Sequence, residues 1–118
     1  MTYKRGDVVL VKYPMMDLSL YKPRPALIVQ NDDNNQRLET TILLQITSNI
    51  SRKNEPTQHF ISLNTEEGLK SGLKTDSVIK AESIFTLPKD NIYKIIGDLN
   101  DKVLLEIDDC IKISLGLR

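Results

Sequence analysis

The stretch "YKPRPALIVQN", residues 21–31, holds an arginine between two prolines immediately before an apolar run. Each proline fixes its own φ and disfavours helical backbone at the preceding residue, so Lys22 and Arg24 are biased towards extended geometry. The aliphatic run that follows predicts a strand from Ala26 to Gln30. The Arg24 guanidinium is therefore presented on a stiff approach to a strand, although a proline pair also simply marks a loop that ends where a strand begins.

Five further runs of Val, Ile, Leu and Thr, separated by turn-forming residues, predict a small antiparallel sheet or barrel rather than alternating strands and helices. These five predicted strands are Val8–Tyr13, Thr40–Ile46, Gln58–Leu63, Ser77–Leu87 and Tyr93–Asp98. The strand that begins at Ser77 is long enough to bend and to serve two faces of a barrel. The polar stretches Asn31–Gln36, Thr47–Pro56 and Thr65–Thr75 predict loops.

The C-terminal part of the sequence changes to helical spacing. Asn100 is a good N-cap, and Gly116 marks the end of the run. The apolar residues at helical spacing are Val103, Leu104, Ile107, Ile111 and Leu115. One amphipathic helix should therefore pack on the sheet, and the predicted fold class is mainly β (α+β) with a terminal helix.

Length and composition predict one domain, residues 1–118, in which 40% hydrophobic residues supply a core. No apolar stretch approaches the roughly 20 residues that span a bilayer, and the N-terminus lacks the apolar segment of a signal peptide. We therefore expect a cytoplasmic protein that does not bind membranes.

The charges of the 16 basic and 16 acidic residues cancel. No global positive field indicates nucleic-acid binding, but the sequence leaves room for a local basic groove.

The side chains that usually build metal sites are scarce. One histidine and one cysteine cannot form the common zinc sites, and no phosphate-binding glycine loop is present, so we predict neither a metal nor a cofactor. Cys110 lies among isoleucines of the predicted helix, which favours a buried apolar role over a thiolate nucleophile. His59 lies in the alternating pattern "TQHFISL", which favours a surface or partly buried imidazole over a catalytic one.

Three groups of polar residues at strand ends remain as candidates for chemistry: Arg24, the pair Thr47 and Ser48 in "QITSN", and the pair Lys80 and Glu82 in "SVIKAES". Each is a weak signal alone. Thr-Ser-Asn after a strand is a common turn whose hydroxyls bond to nearby backbone. Lys80 and Glu82 share a face at period two, where a solvated ion pair is the ordinary explanation.

The combination of these segments resembles a known family. "RGDVVLVKYP", "KPRPALIVQND", "TTILLQITSN", "SGLKTDSVI" and "IGDLNDKVLLEIDDCIKISLGL" are similar, in order and spacing, to the MazF/PemK family of toxin endoribonucleases. The resemblance covers about residues 5–117. It implies an SH3-like (CcdB-like) antiparallel β-barrel with short helices, assembled as a homodimer, in agreement with the strands predicted from periodicity.

The resemblance also implies a toxin of a type II toxin–antitoxin system that cleaves single-stranded RNA at short sequences without a metal. The products would be a 2',3'-cyclic phosphate and a 5'-hydroxyl. By motif, the arginine of "RP" is Arg24 and the hydroxyl of "TS" is Thr47, which are the implied catalytic residues. Glu82 occupies the acidic position after the "SVI" strand, and we expect it to accept the 2'-hydroxyl proton, although family mechanisms differ and some assign both proton transfers to the arginine.

RNA binding should use an electropositive trough and pockets for splayed bases. For this role the sequence offers Ser48, Asn49, Lys22, Lys80 and the aromatic Tyr21. Further cations near predicted loops are Arg52, Lys53, Lys70 and Lys74, and Phe85 is a second candidate aromatic platform. The implied partners are the RNA, a second copy of the chain, and a cognate antitoxin whose flexible acidic tail blocks the groove. Operator DNA would be bound only together with that antitoxin.

The sequence departs from the family after Glu82. Many relatives have glutamine next and arginine two residues later, where this chain has Ser83 and Phe85. The departure leaves two alternatives open beside the nuclease. One is a non-catalytic barrel toxin that inhibits a protein target such as gyrase, and the other is an inactive subunit of an antitoxin-dependent repressor.

Overall fold

The computed structural model describes residues 2–12 and 22–118, and these form one curved antiparallel sheet with helices packed against it. The strands are β1 Asp7–Val11, β2 Arg24–Ile28, β3 Thr40–Thr47, β4 Gln58–Ile61, β5 Ser77–Pro88 and β6 Ile92–Asp98. The helices are α1 Asp32–Arg37, α2 Glu66–Ser71 and α3 Asp101–Leu115, and a single 3₁₀ turn covers Lys89–Asn91. Tyr13 and Tyr21, named in the sequence predictions, lie outside the described residues.

The six predicted strands are confirmed, with ends displaced by at most two residues in the described part of the chain. The order across the sheet is β4-β5-β3-β2-β1-β6, and neighbouring strands are antiparallel. The mainly β fold class is therefore confirmed. β2 begins at Arg24 rather than Ala26, because Pro25 already pairs with Leu10 of β1.

Two of the predicted loops contain short helices. The Asn31 side chain accepts a hydrogen bond from the Asn34 N–H and begins α1, and the Thr65 side chain accepts one from the Gly68 N–H and begins α2. Both helices carry two acidic residues in the first turn, which favours a helix N-terminus. The loop prediction for these segments was therefore wrong. The helices were missed because six residues are too few to show apolar periodicity in the sequence.

Apolar side chains of alternate strand residues enter two clusters. Val8 packs in the cluster that also contains the buried face of α3, whereas its neighbour Val9 packs in the second cluster. The predicted N-cap of α3 is confirmed, because the Asn100 side chain accepts from the Val103 N–H. Val103, Leu104 and Ile107 are buried as predicted, but Leu115, in the last turn of α3, is exposed.

β5 bends as its length predicted, and the bend occurs at a bulge. Gln45 of β3 pairs with Lys80, and the adjacent Leu44 pairs with Ile84. The residues Ala81–Ser83 of β5 therefore have no partner on β3. A bulge of this kind breaks the alternation of faces and turns the strand.

The helix α2 connects β4 to β5 and packs on β6, so it links the two edges of the sheet. Two glycines make this contact possible. Gly72 ends α2 in left-handed backbone with φ +74°, and a Cβ there would overlap the Ile96 carbonyl. A Cβ at Gly97 would overlap the carbonyls of Lys70 and Ser71. The close approach of these backbones completes the barrel-like curvature of the sheet. None of the described helices has the length and apolarity of a membrane span.

Candidate functional site

A cleft of about 1010 Å³ opens at the ends of β2 and β3. Its floor includes residues of β1, β2 and β6, and one wall is the segment that follows α2. The described residues that line it are Leu10, Lys22, Pro23, Arg24, Pro25, Gln45, Ile46, Thr47, Ser48, Leu73, Lys74, Thr75, Ser77, Phe85, Lys94 and Ile96. The quoted "KPRP" and "QITS" segments therefore meet in one cavity.

The strand register explains why Arg24 and Thr47 meet. β2 and β3 are antiparallel, with Ala26 opposite Gln45. The paired part of the two strands ends at Ala26 and Gln45, and Arg24 and Thr47 each lie two residues beyond that pair, at the same end of the sheet. Arg24 is exposed and Thr47 is half-buried, so both polar groups are accessible from the cleft.

The turn after β3 orients the Thr47 hydroxyl. Its oxygen accepts a hydrogen bond from the Asn49 N–H at 3.1 Å, and the Asn49 side chain in turn accepts one from the Ser51 N–H at 3.2 Å. These are the local side-chain-to-backbone bonds expected of a Thr-Ser-Asn turn. Because the hydroxyl oxygen acts as an acceptor within the turn, its proton stays available to a group bound in the cleft.

The cleft is positively charged although the whole chain has no net charge. Four of its described lining residues are basic, Lys22, Arg24, Lys74 and Lys94, and none is acidic. Apolar walls around a set of like charges focus the field into the cavity. The arrangement is suited to an anionic ligand with more than one charge.

Four of the residues predicted for the site line this cleft: Arg24, Thr47, Ser48 and Lys22. Asn49 is exposed in the adjoining turn but does not line the cavity. Tyr21 lies outside the described residues. Lys80 and Glu82 do not line the cleft either.

Glu82, which the sequence interpretation placed with Arg24 and Thr47, is not among the described residues that line the cleft. Glu82 lies within the bulge of β5, where its carboxylate accepts a hydrogen bond from the Gln58 side chain at 2.8 Å. It also lies near enough to α3 to raise the pKa of the Cys110 thiol.

Lys80 and Glu82 do not form the ion pair that period-two spacing suggested, for the same reason. Lys80 is half-buried in the row of paired residues Gln45, Lys80 and Gln58, which spans β3, β5 and β4. Glu82 is exposed and bonded to Gln58 instead. Lys80 is paired with Gln45 and Gln58, whereas Glu82 lies in the bulge without a partner on β3, so the two side chains have different surroundings.

Sequence reasoning missed Lys94, Gln45 and Ser77 as lining residues. Lys94 lies in the strand "IYKIIGD", and nothing local indicates that β6 meets the segment after α2. Lys74 and Phe85 were considered as an RNA-binding cation and an aromatic platform, and both line the cleft. Phe85 also packs at the edge of the second apolar cluster.

His59 and Cys110 lie away from the cleft, in agreement with their non-catalytic interpretation. The His59 side chain is 14% exposed and lies between Glu67 of α2 and Glu106 of α3, at 3.5 and 3.8 Å. Burial raises the pKa of the Cys110 thiol, and the nearby Asp109 and Glu106 carboxylates raise it further. A thiol held protonated in this way is a poor nucleophile.

In the described ranges, no cluster of three or more His, Cys, Asp or Glu residues has the geometry to hold a metal ion.

Comparison with known proteins identifies the family. The model of the family described as "PemK-like, MazF-like toxin of type II toxin-antitoxin system" matches residues 4–115. The chain belongs to this family. An endoribonuclease MazF from Staphylococcus saprophyticus is 37% identical to the toxin over 116 residues, covering 98% of this chain and 92% of that protein. An endoribonuclease MazF from Staphylococcus epidermidis is 36% identical over the same extent.

Solved structures share the fold of the toxin. An endoribonuclease in complex with its cognate antitoxin, from a mycobacterial species, superposes with a TM-score of 0.77 at 23% identity, covering 98% of this chain and 97% of that one. A MazE–MazF complex from Deinococcus radiodurans gives a TM-score of 0.76 at 17% identity and covers 100% of both chains. The SH3-like, CcdB-like barrel implied by the sequence resemblance is thus the fold that the toxin shares with these proteins.

Proposed function

We propose that this toxin is a metal-independent, sequence-selective endoribonuclease that cleaves single-stranded RNA in the cleft between Arg24 and Thr47. The observation that carries the proposal is the presence of both residues in one basic cavity. The relatives from Staphylococcus that bear the name endoribonuclease MazF support the same activity.

The reaction makes specific demands on the site. The 2'-hydroxyl oxygen attacks the adjacent phosphorus, the bond from phosphorus to the 5'-oxygen breaks, and the products are a 2',3'-cyclic phosphate and a 5'-hydroxyl. One proton leaves the 2'-oxygen and one is delivered to the 5'-oxygen. The pentacoordinate transition state carries two negative charges on non-bridging oxygens, so preorganised donors contribute most to the rate.

Arg24 meets the demand for charge stabilisation. Its guanidinium is planar, stays charged at any working pH and can donate two parallel hydrogen bonds to phosphate oxygens. The neighbouring Pro23 and Pro25 restrict the backbone on both sides, so less conformational freedom is lost when the side chain binds.

Thr47 supplies a neutral donor beside that charge. Its hydroxyl oxygen is already engaged by the Asn49 N–H, which leaves the hydroxyl proton for a non-bridging phosphate oxygen. Ser48, exposed at the rim of the cleft, and Lys22 extend the polar surface to neighbouring nucleotides. We assign no proton transfer to Glu82, because its carboxylate is bonded to Gln58 outside the cleft.

The proposal includes the partners of the reaction. The toxin would work in the cytoplasm as a homodimer and would be inhibited by a cognate antitoxin with a flexible acidic tail, which the basic cleft would attract. Structural neighbours bound to their antitoxins support this arrangement. Exposed apolar residues of α3 and of the C-terminal segment after it offer surface for the dimer: Leu105, Ile113, Leu115 and Leu117.

The experiment is to incubate the purified toxin with a long single-stranded RNA in the presence of EDTA and to map the fragment ends. We expect discrete fragments with 5'-hydroxyl ends. In Arg24→Ala, cleavage should fall by at least about 10²–10³-fold, the usual loss for one transition-state donor. Its thermal unfolding should match the wild type, because Arg24 is exposed.

Two results would contradict the proposal. Undiminished cleavage by a folded Arg24→Ala protein would remove the central assignment. Absence of RNA cleavage by the wild type, together with inhibition of DNA gyrase in a supercoiling assay, would instead support a toxin that acts on a protein target.

A further inference from the structure

The cleft continues beyond Arg24 and Thr47 to two lysines that the reaction described above does not use. Lys74 follows the C-cap of α2, and Lys94 lies in β6. Both are exposed and both line the cleft. In the contacts between described residues, neither ammonium group has a hydrogen bond or a carboxylate partner. Other lysines of the chain are engaged, for example Lys70 with Glu66 and Lys53 over the Phe60 ring.

The strand register fixes the position of Lys94 relative to Arg24. Lys94 is opposite Leu10 of β1, and Leu10 is opposite Pro25 of β2. These three residues form a row across neighbouring strands that are about 4.8 Å apart, so the Lys94 backbone lies about 10 Å from that of Pro25. Lys94 is therefore too far from Arg24 to share all of its contacts, but both residues line the cleft.

Close backbone contact brings Lys74 to the same wall. Gly72 and Gly97 allow the end of α2 to approach β6 without side-chain overlap. The next residue, Leu73, packs on the first apolar cluster together with Ile96, and both also line the cleft. The apolar side chain anchors the segment, so the position of Lys74 beside β6 is set by packing rather than by the lysine itself.

We propose that Lys74 and Lys94 form a second phosphate-binding site in the cleft, which holds the RNA backbone at a nucleotide that flanks the scissile phosphate. The inference rests on the proposed nuclease function and deepens it. The two lysines are positioning residues: they bind an adjacent phosphate and set the strand in place for Arg24 and Thr47. Two mobile ammonium groups suit this role, because they act as point charges on a backbone whose conformation varies with sequence.

The test compares wild type, Lys74→Gln, Lys94→Gln and the double variant on a short single-stranded RNA oligonucleotide. Equilibrium binding is measured with a 2'-deoxy substitution at the cleaved nucleotide, over a series of salt concentrations. For single strands the slope of log K against log salt is about −0.7 per phosphate contact. We expect a slope shallower by about 0.7 in each single variant and by about 1.4 in the double variant.

Kinetics provide the second readout. A residue that positions the strand through binding should raise KM, whereas kcat should stay within about twofold of the wild type. The double Lys→Arg variant should restore both KM and the salt slope, because it restores both charges. Lys102→Gln is the matched control, since Lys102 is an exposed lysine on α3 that does not line the cleft.

The possible outcomes separate the two proposals. If the wild type cleaves RNA but the folded double variant keeps the wild-type slope and KM, the second phosphate site is wrong and the nuclease proposal stands. An equal effect of Lys102→Gln would also overturn it, because the effect would then reflect net charge. If the wild type neither binds nor cleaves RNA, both proposals fail.

Discussion

Arg24 and Thr47 illustrate how much single residues reveal before the fold is known. The two prolines around Arg24 and the hydroxyls after β3 are visible in the sequence, and the family resemblance pairs them. Their proximity depends on the β2–β3 register, in which both residues lie just beyond the last pair, Ala26 and Gln45. A shift of one residue would send the two side chains to opposite faces, so this register is a condition of the site.

The hydroxyl of Thr47 can be tested separately from its methyl group. Thr47→Val removes the donor, and we expect cleavage to fall by about 10²–10³-fold. Thr47→Ser keeps the hydroxyl and should retain most of the activity. Single-turnover cleavage rates provide the comparison. Loss of the Asn49 N–H bond should cost Thr47→Val only about 1 kcal/mol of unfolding free energy, so both variants should fold. Equal rates for the two variants would show that the hydroxyl does not act in the reaction.

At the scale of elements, the helix α2 and the bulge of β5 determine which residues meet in the cleft. α2 is short and was predicted as loop, yet it carries the segment with Lys74 to β6. Glu82 lies within the bulge and does not line the cleft. Neither feature has a local apolar pattern, because both depend on pairing with strands that are distant in sequence.

The glycine contact between α2 and β6 yields a prediction with a matched control. Gly97→Ala places a Cβ against the Lys70 and Ser71 carbonyls, and we expect a loss of about 2–3 kcal/mol in unfolding free energy. Gly116 has φ +70° but no atom within 4 Å of an added Cβ, so Gly116→Ala should lose only about 1 kcal/mol. Urea denaturation measures both.

RNA binding should distinguish the same two variants. Gly97→Ala displaces the segment with Lys74, so its RNA affinity should fall under conditions in which it is still folded. Gly116→Ala should bind RNA as the wild type does. Wild-type stability and affinity of Gly97→Ala would mean that α2 and β6 are not in close contact.

For the whole molecule, the distribution of charge matters more than its sum. The chain is neutral overall, but the cleft concentrates four cations. The described acidic residues lie outside the cleft, and Asp7 is one of them. The pKa of Asp7 is raised, mainly by burial and further by the Asp98 and Asp32 carboxylates. The Lys4 backbone N–H, which donates to the Asp7 carboxylate at 2.8 Å, opposes this rise only in part.

The direction of this shift predicts a pH effect on stability. Because the pKa of Asp7 is higher in the folded than in the unfolded protein, the folded state binds the proton more tightly. The contribution of Asp7 to stability therefore decreases as pH rises through the interval between the two pKa values. Asp7→Asn should remove this decrease, so the stability difference between variant and wild type should grow in favour of the variant from about pH 3 to pH 6. Unfolding free energies across that range test it, and a constant difference would contradict the assignment.

The sequence by itself determined the strands and the terminal helix, because apolar periodicity, proline restriction and capping act between near neighbours. The resemblance of its motifs to the family suggested that Arg24 and Thr47 act together. Only the tertiary structure decided that Lys94 lines the cleft and that Glu82 does not. Strand register, the bulge opposite Leu44 and Gln45, and the contact of α2 with β6 arise between residues far apart in the chain. Their energies depend on which backbones can approach one another, and no local pattern encodes that.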